Sequence, residues 1–211
     1  MTRGRFITLE GGEGAGKSTQ LRRLARRLAE QGREVVVTRE PGGSPGAEAI
    51  RALLVNGAAD RWSPITETLL MYAARRDHIE RVIAPSLARG ATVVCDRFFD
   101  STRAYQGAGG RVPPGLIAAL EREVVGERVP DLTLVLDLPV AEGLKRAAHR
   151  GEGEARFEAK GLAFHERLRT AFLRIAADEP ERCAIIEAGA APDEVEARIW
   201  AVVSARLGTA P

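Results

Sequence analysis

Short apolar runs of strand length alternate along this chain with longer stretches in which apolar residues recur at helical spacing. The short runs predict strands at residues 6–9, 35–38, 91–96, 132–138 and 183–187. The longer stretches predict helices at residues 17–31, 46–54, 64–89, 113–125, 140–150, 159–177 and 192–207. In the first of these helices, Leu21, Leu24 and Leu28 fall on one face, as expected of an amphipathic helix.

This alternation of strands and helices predicts an α/β fold. Repeated βαβ units place parallel strands in one sheet with helices on both faces, and several of the strands are apolar throughout, as buried parallel strands are. The length of 211 residues fits a single domain over residues 1–211 and is short for two. Glycine-rich breaks at residues 106–115 and 151–154 predict loops, and the second is also strongly charged.

Composition and charge narrow the class of protein. Hydrophobic residues make up 45% and charged residues 28%, an ordinary globular balance, and the net charge of +2 is too small to indicate nonspecific binding of nucleic acid. No apolar run approaches the length of a membrane span, and no signal-peptide pattern opens the sequence. Cys95 and Cys183 lie in strand-like runs without the spacing of a zinc site. We expect a cytoplasmic protein with no nucleic-acid or membrane partner.

The segment GGEGAGKST, directly after the first strand, fits the phosphate-binding pattern G-x-x-x-x-G-K-[ST]. Glycines let the backbone curl so that N–H groups point at phosphate oxygens, and the next helix adds its positive end. Lys17 is expected to reach the β- and γ-phosphates and Ser18 to bind Mg²⁺. The predicted ATP-binding residues are Gly11, Gly12, Glu13, Gly14, Ala15, Gly16, Lys17, Ser18 and Thr19.

This loop predicts a bound triphosphate but does not specify the reaction. A GTPase would carry an N-K-x-D motif, whereas the only asparagine, Asn56, is followed by Gly57. No D-x-x-G motif follows the second strand either. An ATPase motor and a small-molecule kinase both remain compatible with the loop.

Five segments together resemble the thymidylate kinases. They are GGEGAGKST, TREPGGS at 38–44, YAARRDHIE at 72–80, CDRFFDSTRAYQG at 95–107 and PDLTLVLDL at 130–138. The resemblance runs from Phe6 to the last strand. It implies a P-loop nucleoside monophosphate kinase fold, a three-layer α/β/α arrangement around a five-stranded parallel sheet of order 2-3-1-4-5. A LID loop, here at about residues 150–157, would cover the site.

The resemblance also implies an activity and partners. Members transfer the γ-phosphoryl group of ATP to dTMP with Mg²⁺, giving dTDP for dTTP synthesis, and they are similar to one another in being homodimers packed through helices. The apolar residues of the predicted helix 64–89 would supply such a face, or would all belong to the core. Two alternative hypotheses for the function are a kinase for another pyrimidine monophosphate and a non-catalytic P-loop nucleotide-binding protein.

Catalysis in such a kinase is electrostatic, because the acceptor is already an oxyanion and no base is needed. The candidate catalytic residues are Lys17, Arg97, Arg150 and Arg156. The phosphate-binding loop carries no arginine, which resembles the class in which the LID supplies one, and the choice between Arg150 and Arg156 stays open. Asp96 is expected beside the metal or its waters, together with Ser18.

For the acceptor, the resemblance implies that Arg39 and Arg97 bind phosphate and that Glu13 accepts a hydrogen bond from the sugar 3′-hydroxyl. Arg75 matches the arginine that binds a thymine carbonyl. Met71 stands where the family usually has a phenylalanine stacked on the base, and it is either a base contact or plain core. The remaining residues predicted around dTMP are Tyr105, which packs against the deoxyribose, and Ser101, Thr102 and Gln106. His78, His149 and His165 lack metal-ligand spacing and are expected to be ordinary surface or helix residues.

Overall fold

The computed structural model describes residues 3–58, 60–150 and 161–208, and its centre is one parallel sheet. The strands are β1 (Phe6–Gly11), β2 (Val35–Arg39), β3 (Thr92–Asp96), β4 (Leu132–Asp137) and β5 (Cys183–Glu187). They pair in parallel in the order β2-β3-β1-β4-β5. The α/β class, the five strands and the order implied by the resemblance are confirmed.

Helices cover both faces of the sheet. They are α1 (Lys17–Glu30), α2 (Pro45–Val55), α3 (Pro64–His78), α4 (Ala84–Ala88), α5 (Phe99–Thr102), α6 (Pro114–Val124), α7 (Val140–Arg150), α8 (Leu162–Asp178) and α9 (Pro192–Leu207). Proline opens α2, α3, α6 and α9, where its missing N–H leaves no intrahelical bond unmade. Helix α3 is also capped by the Ser63 side chain, which accepts a hydrogen bond from the Thr66 N–H. None of the described helices is long and apolar enough to cross a bilayer.

Two predicted boundaries are wrong. The predicted helix 64–89 is divided, because the π-helical segment Ile79–Ile83 separates α3 from α4. The loop predicted at 106–115 starts later, because a second π-helical segment, Arg103–Gly109, continues α5. A methyl group on Gly109 would lie 2.6 Å from the Phe164 ring, so this glycine serves close packing against α8 rather than a turn. The break at 151–154 and most of the predicted LID lie outside the described residues.

The core is divided between the two faces of the sheet. On one side, Ile7 and Leu9 of β1 pack with residues of α1 and α9. On the other, Phe6 meets Phe98 edge to face at 5.0 Å, next to the buried Tyr72 of α3. Each such large side chain contributes about 1.5–3 kcal/mol when it is fully removed from water. The central strands are therefore anchored from both sides.

The register of the sheet brings the strand ends together. Arg39 is opposite Asp96, Asp96 is opposite Leu9, and Gly11 is opposite Leu136. The carboxyl ends of β2, β3, β1 and β4 therefore form one edge. In open parallel sheets, ligands bind at this edge.

Candidate functional site

The loop between β1 and α1 is shaped by glycines in the left-handed conformation. Gly14 has φ 70° and Gly16, which precedes α1, has φ 89°. A methyl group on Gly14 would also lie 1.9 Å from the Gly143 carbonyl oxygen of α7. Both the conformation and the contact require glycine at position 14. The loop thus curls directly in front of the positive end of α1.

Lys17 is buried within this loop, with only 8% of its surface exposed. Its Nζ donates hydrogen bonds to the carbonyls of Gly11 at 3.2 Å and Gly12 at 2.9 Å. Burial lowers the pKa of Lys17 and the charge of Arg97 lowers it further, whereas Glu13 and Asp96 act to raise it. The ammonium group is therefore a poorly solvated donor held at the loop.

Ser18 and Asp96 form an oxygen pair beside the loop. The Ser18 hydroxyl donates to Asp96 Oδ2 at 3.0 Å. The other oxygen, Asp96 Oδ1, is buried and has no hydrogen-bond partner among the described residues. Hard oxygen donors of this kind suit Mg²⁺, which is usually held by one or two protein oxygens together with substrate phosphates and water. The residues present fit the metal that the loop implies.

Arg97 follows β3 and links the loop to a neighbouring cleft. Its Nη1 donates to the Gly11 carbonyl and to Ser101 Oγ, both at 3.1 Å. Its Nη2 donates to Glu13 Oε1 and to the Tyr105 hydroxyl, both at 3.0 Å. The backbone of Arg97 is left-handed, with φ 68°. A non-glycine residue in that region is strained, and such strain clusters at functional sites.

Glu13 is turned away from the loop hollow and toward this cleft. In addition to Arg97, the Tyr105 hydroxyl donates to Glu13 Oε1 at 2.6 Å. Burial alone would raise the pKa of Glu13, but the charges of Arg97 and Lys17 and the bond from Tyr105 outweigh it and lower the pKa to about 2. The carboxylate is therefore ionised at neutral pH and acts as a hydrogen-bond acceptor.

A cleft lies between the end of β2, α3 and α5. Its lining residues are Glu40, Pro41, Met71, Arg75, Arg97, Phe98, Ser101, Thr102, Tyr105 and Gln106. All the residues predicted around dTMP line it except Glu13, which touches it through Arg97 and Tyr105, and Arg39. Met71 is half-buried, and it both lines the cleft and packs against the apolar cluster of Tyr105 and Phe164. The two interpretations of Met71 are thus compatible.

Arg75 is the most buried cation of the cleft, with 2% of its surface exposed. Its Nε donates to Glu40 Oε2 at 2.7 Å and its Nη2 to Thr102 Oγ1 at 3.1 Å. The guanidinium lies 4.8 Å from the Tyr72 ring centroid and 5.2 Å from that of Phe98. Its Nη1 is buried and has no partner among the described residues. One donor group of this arginine is left for a ligand.

Arg39 does not line the cleft, and the side chains of the two LID arginines lie outside the described part of the chain. Arg39 stands at the expected strand end, but its side chain is 56% exposed and its Nη2 donates to Glu48 Oε2 at 3.2 Å. Glu48 takes the guanidinium in this arrangement, and the clamp on the acceptor phosphate stays a prediction for Arg39. Arg150 ends α7 with its side chain outside the described part, and Arg156 lies wholly outside it.

The sequence reasoning missed Glu10, which supports the turn after β3. This fully buried carboxylate accepts hydrogen bonds from the N–H groups of Phe98 at 2.7 Å and Ser101 at 3.2 Å, and from the Ser101 hydroxyl at 2.6 Å. Burial and the charge of Asp100 raise the pKa of Glu10 to about 7, despite the opposing charge of Arg97. Glu10 is the single acidic residue in the apolar strand FITLEG, and this isolated charge was the signal from which its role could have been predicted.

Glu40 and His78 were missed as well. His78 and His165 lie on helices as expected, but both are buried rather than on the surface. His78 Nδ1 is 2.9 Å from Glu40 Oε1. Glu40 directly follows Arg39 and His78 lies three residues after Arg75, and this closeness to predicted site residues was the available signal. No local pattern, however, indicates that the side chains of Glu40 and His78 meet.

Comparisons with known proteins agree with this geometry. The thymidylate kinase family model matches residues 9–199. A thymidylate kinase of Caulobacter vibrioides is 71% identical over 208 residues, covering 99% of this chain and 100% of that protein. One from Bradyrhizobium sp. strain BTAi1 is 56% identical over 210 residues, covering 99% of this chain and 93% of that protein.

A solved structure is also similar. The crystal structure of thymidylate kinase from Ehrlichia chaffeensis superimposes with a TM-score of 0.79 at 33% sequence identity. The match covers 95% of this chain and 99% of that one. Sequence and fold therefore point to the same relatives.

Proposed function

The chain belongs to the thymidylate kinase family and is an ATP-dependent kinase that converts dTMP to dTDP, and we propose that its loop and cleft are the two halves of the active site. The observation that carries this assignment is the buried Arg75 Nη1, a donor with no partner among the described residues, in a cleft that joins the loop at Arg97 and Glu13. A pyrimidine carbonyl is an acceptor of the kind this donor lacks.

The loop would hold the triphosphate. Lys17 exchanges its bonds to the Gly11 and Gly12 carbonyls for bonds to phosphate oxygens, and the backbone of residues 12–16 lines the hollow. A bound Mg²⁺ would neutralise phosphate charge, with Ser18 and Asp96 as the side chains that hold it. Asp96 Oδ1, which has no partner in the described part of the chain, supports this metal site.

The cleft would hold dTMP. Glu13, an ionised acceptor, suits the 3′-hydroxyl of the sugar, and Tyr105 packs against the deoxyribose. Arg97 lies between the two halves, where the transferred phosphoryl group must pass. Since the acceptor oxygen carries no proton to remove, Lys17 and Arg97 act by holding two polyanions in line and by stabilising the charge of the transition state. The LID would add Arg150 or Arg156 on closure.

A substrate panel tests the acceptor assignment. With ATP and Mg²⁺ saturating, we expect dTMP to be converted to dTDP with a kcat/KM at least about 100-fold above those for CMP and UMP. The amino group of CMP would leave the buried donor unpaired, and Tyr105, packed against the deoxyribose, would leave little room for the 2′-hydroxyl of either ribonucleotide. Equal rates with the three monophosphates would contradict the assignment. ATP hydrolysis that ignores every monophosphate would instead favour a nucleotide-binding protein without kinase activity.

We further propose a homodimer in the cytoplasm. Ile65 and Leu69 are each 48% exposed, one helical turn apart on α3, and Ala73 continues the same exposed stripe. Light scattering after gel filtration should give twice the chain mass, and a monomer mass for the unchanged protein would contradict the dimer. Two free, buried cysteines are consistent with a reducing compartment.

A further inference from the structure

A line of buried polar side chains runs behind the cleft and ends on Arg75. Glu40 is 5% exposed and His78 is fully buried. Glu40 uses one oxygen, Oε2, to accept from Arg75 Nε at 2.7 Å, while its other oxygen, Oε1, lies 2.9 Å from His78 Nδ1. The second ring nitrogen of His78 lies 2.7 Å from Thr38 Oγ1 at the end of β2. Each polar group of the line thus has a partner on both sides.

This line determines the direction of Arg75 Nη1, which has no partner among the described residues. The guanidinium group is a rigid planar fork, so fixing its Nε and Nη2 also fixes Nη1. Glu40 holds the first of these nitrogens and Thr102 holds the second. Tyr72 and Phe98 lie within cation–π distance and restrict movement of the guanidinium. The buried Nη1 of Arg75 is left with one orientation.

His78 in turn fixes the carboxylate. Without His78, the carboxylate of Glu40 would keep one partner among the described residues, the guanidinium that it orients. The backbone of Glu40 is held separately, because its N–H donates to the Asp96 carbonyl at 2.9 Å. The segment after β2 closes over the pair: a methyl group on Gly43 would lie 2.5 Å from His78 Nε2 and 2.4 Å from Thr38 Oγ1. The pair is therefore closely packed on this side and is almost wholly removed from water.

We propose that Glu40 and His78 are positioning residues that set the choice of base. They hold Arg75 so that Nη1 faces a carbonyl at position 4 of the pyrimidine, and so select against a base with an amino group there. An amino group offers no acceptor, and it would leave the buried donor unpaired. The inference rests on the proposed binding of dTMP in the cleft.

The test compares dTMP with 5-methyl-dCMP, which keeps the methyl group and the sugar but has an amino group in place of that carbonyl and an unprotonated N3 in place of N3–H. His78→Leu removes the partner of Glu40, and His78→Asn retains an N–H donor near the position of Nδ1. We expect His78→Leu to raise the KM for dTMP and to shrink the kcat/KM preference for dTMP over 5-methyl-dCMP, each by about 10–100-fold. The KM for ATP should stay within about twofold, and His78→Asn should restore most of the preference.

Arg76→Ala, an exposed change on the same helix, is the matched control and should leave all these quantities unchanged. Glu40→Gln should act in the same direction as His78→Leu, and if it fails to fold, the two His78 variants still decide. Equal losses for both nucleotides, with the preference intact, would overturn the positioning role. If the unchanged protein does not phosphorylate dTMP at all, the proposed function fails instead, so the two failures are distinct.

Discussion

The loop between β1 and α1 and the cleft beside α3 share one site but are built in different ways. The loop is one continuous stretch, residues 11–18, whose shape comes from backbone conformation at Gly14 and Gly16. The cleft is made of side chains that are far apart along the chain. The hydrogen bonds of Arg75 span 35 residues to Glu40 and 27 residues to Thr102.

This difference separates two chemical tasks. A phosphate chain offers the same charged oxygens in every nucleotide, and backbone N–H groups with one lysine are sufficient to bind it. A base must be distinguished from chemically similar bases, which requires a hydrogen-bond donor whose direction is fixed by other buried groups. We therefore expect changes in the loop to affect the rate of transfer, and changes in the cleft to affect the affinity and choice of acceptor.

The largest expected effect comes from Lys17→Ala. Its ammonium is the cation of the loop that can stabilise negative charge on the transferred phosphoryl group in the transition state. Removing such a group should lower kcat by about 10³-fold or more. The KM for dTMP should change less than about threefold, since Lys17 does not line the cleft. Steady-state kinetics with each substrate varied in turn would measure both.

Lys145→Ala is the control for this change, since Lys145 is an exposed lysine of α7 outside the candidate site. Its kinetics should match those of the unchanged protein. A kcat of Lys17→Ala within tenfold of that of the unchanged protein would show that this lysine is not catalytic. The proposed contrast between the loop and the cleft would then be wrong.

The same contrast explains what could be predicted from the sequence. The strands, the strand order and the loop were predicted correctly, because periodicity and the glycine-lysine motif are local signals and the resemblance supplied the order. The cleft residues Arg75 and Tyr105 came from the resemblance alone. Glu40 and His78 were missed, since their contact exists only after β2 and α3 pack together.

Two further features of the site depend on contacts of the same kind. Glu10 supports a turn 88 residues away in the chain, from Phe98 onward, and no local pattern relates them. Arg39 was placed correctly at a strand end, but the direction of a long side chain there depends on Glu48, which lies on the next helix. Side-chain partners across elements are thus the part that sequence patterns do not specify.

A second change tests whether the conformation of the glycine backbone gives the loop its shape. Gly14→Ala forces a side chain into left-handed backbone and toward the Gly143 carbonyl, and it should destabilise the protein by about 2–3 kcal/mol. In a chain of this size that lowers Tm by roughly 4–12 °C.

Gly12→Ala is its matched control, because a methyl group there meets nothing within 4 Å and its φ is not positive. Thermal unfolding of both variants should show a loss for Gly14→Ala only. Equal Tm values for the two would mean that the loop adapts to side chains and that its glycines are not what shapes it.

The smallest effect concerns Glu10 and Glu13, two carboxylates three positions apart with opposite pKa shifts. Glu13, with its pKa lowered to about 2, contributes stability above the unfolded pKa and loses it as the pH falls. Glu10, with its pKa raised to about 7, contributes stability that is complete below the unfolded pKa of about 4.5 and is lost as the pH rises through 7. The surroundings of Glu13, beside Arg97 and Tyr105, thus favour an ionised acid, and the turn that carries Arg97 favours a protonated one.

Glu10→Gln isolates the second acid, because glutamine keeps an acceptor for the Phe98 and Ser101 N–H groups and stays neutral at every pH. Between pH 5 and pH 8 the unchanged protein should lose on the order of 1–2 kcal/mol of unfolding free energy relative to this variant. Urea denaturation at several pH values in that window measures the difference. A difference that stays constant, or that grows in favour of the unchanged protein as the pH rises, would show that Glu10 is ionised throughout. In that case the turn would be held by a full charge, like the loop, and the electrostatic contrast between the two carboxylates would disappear.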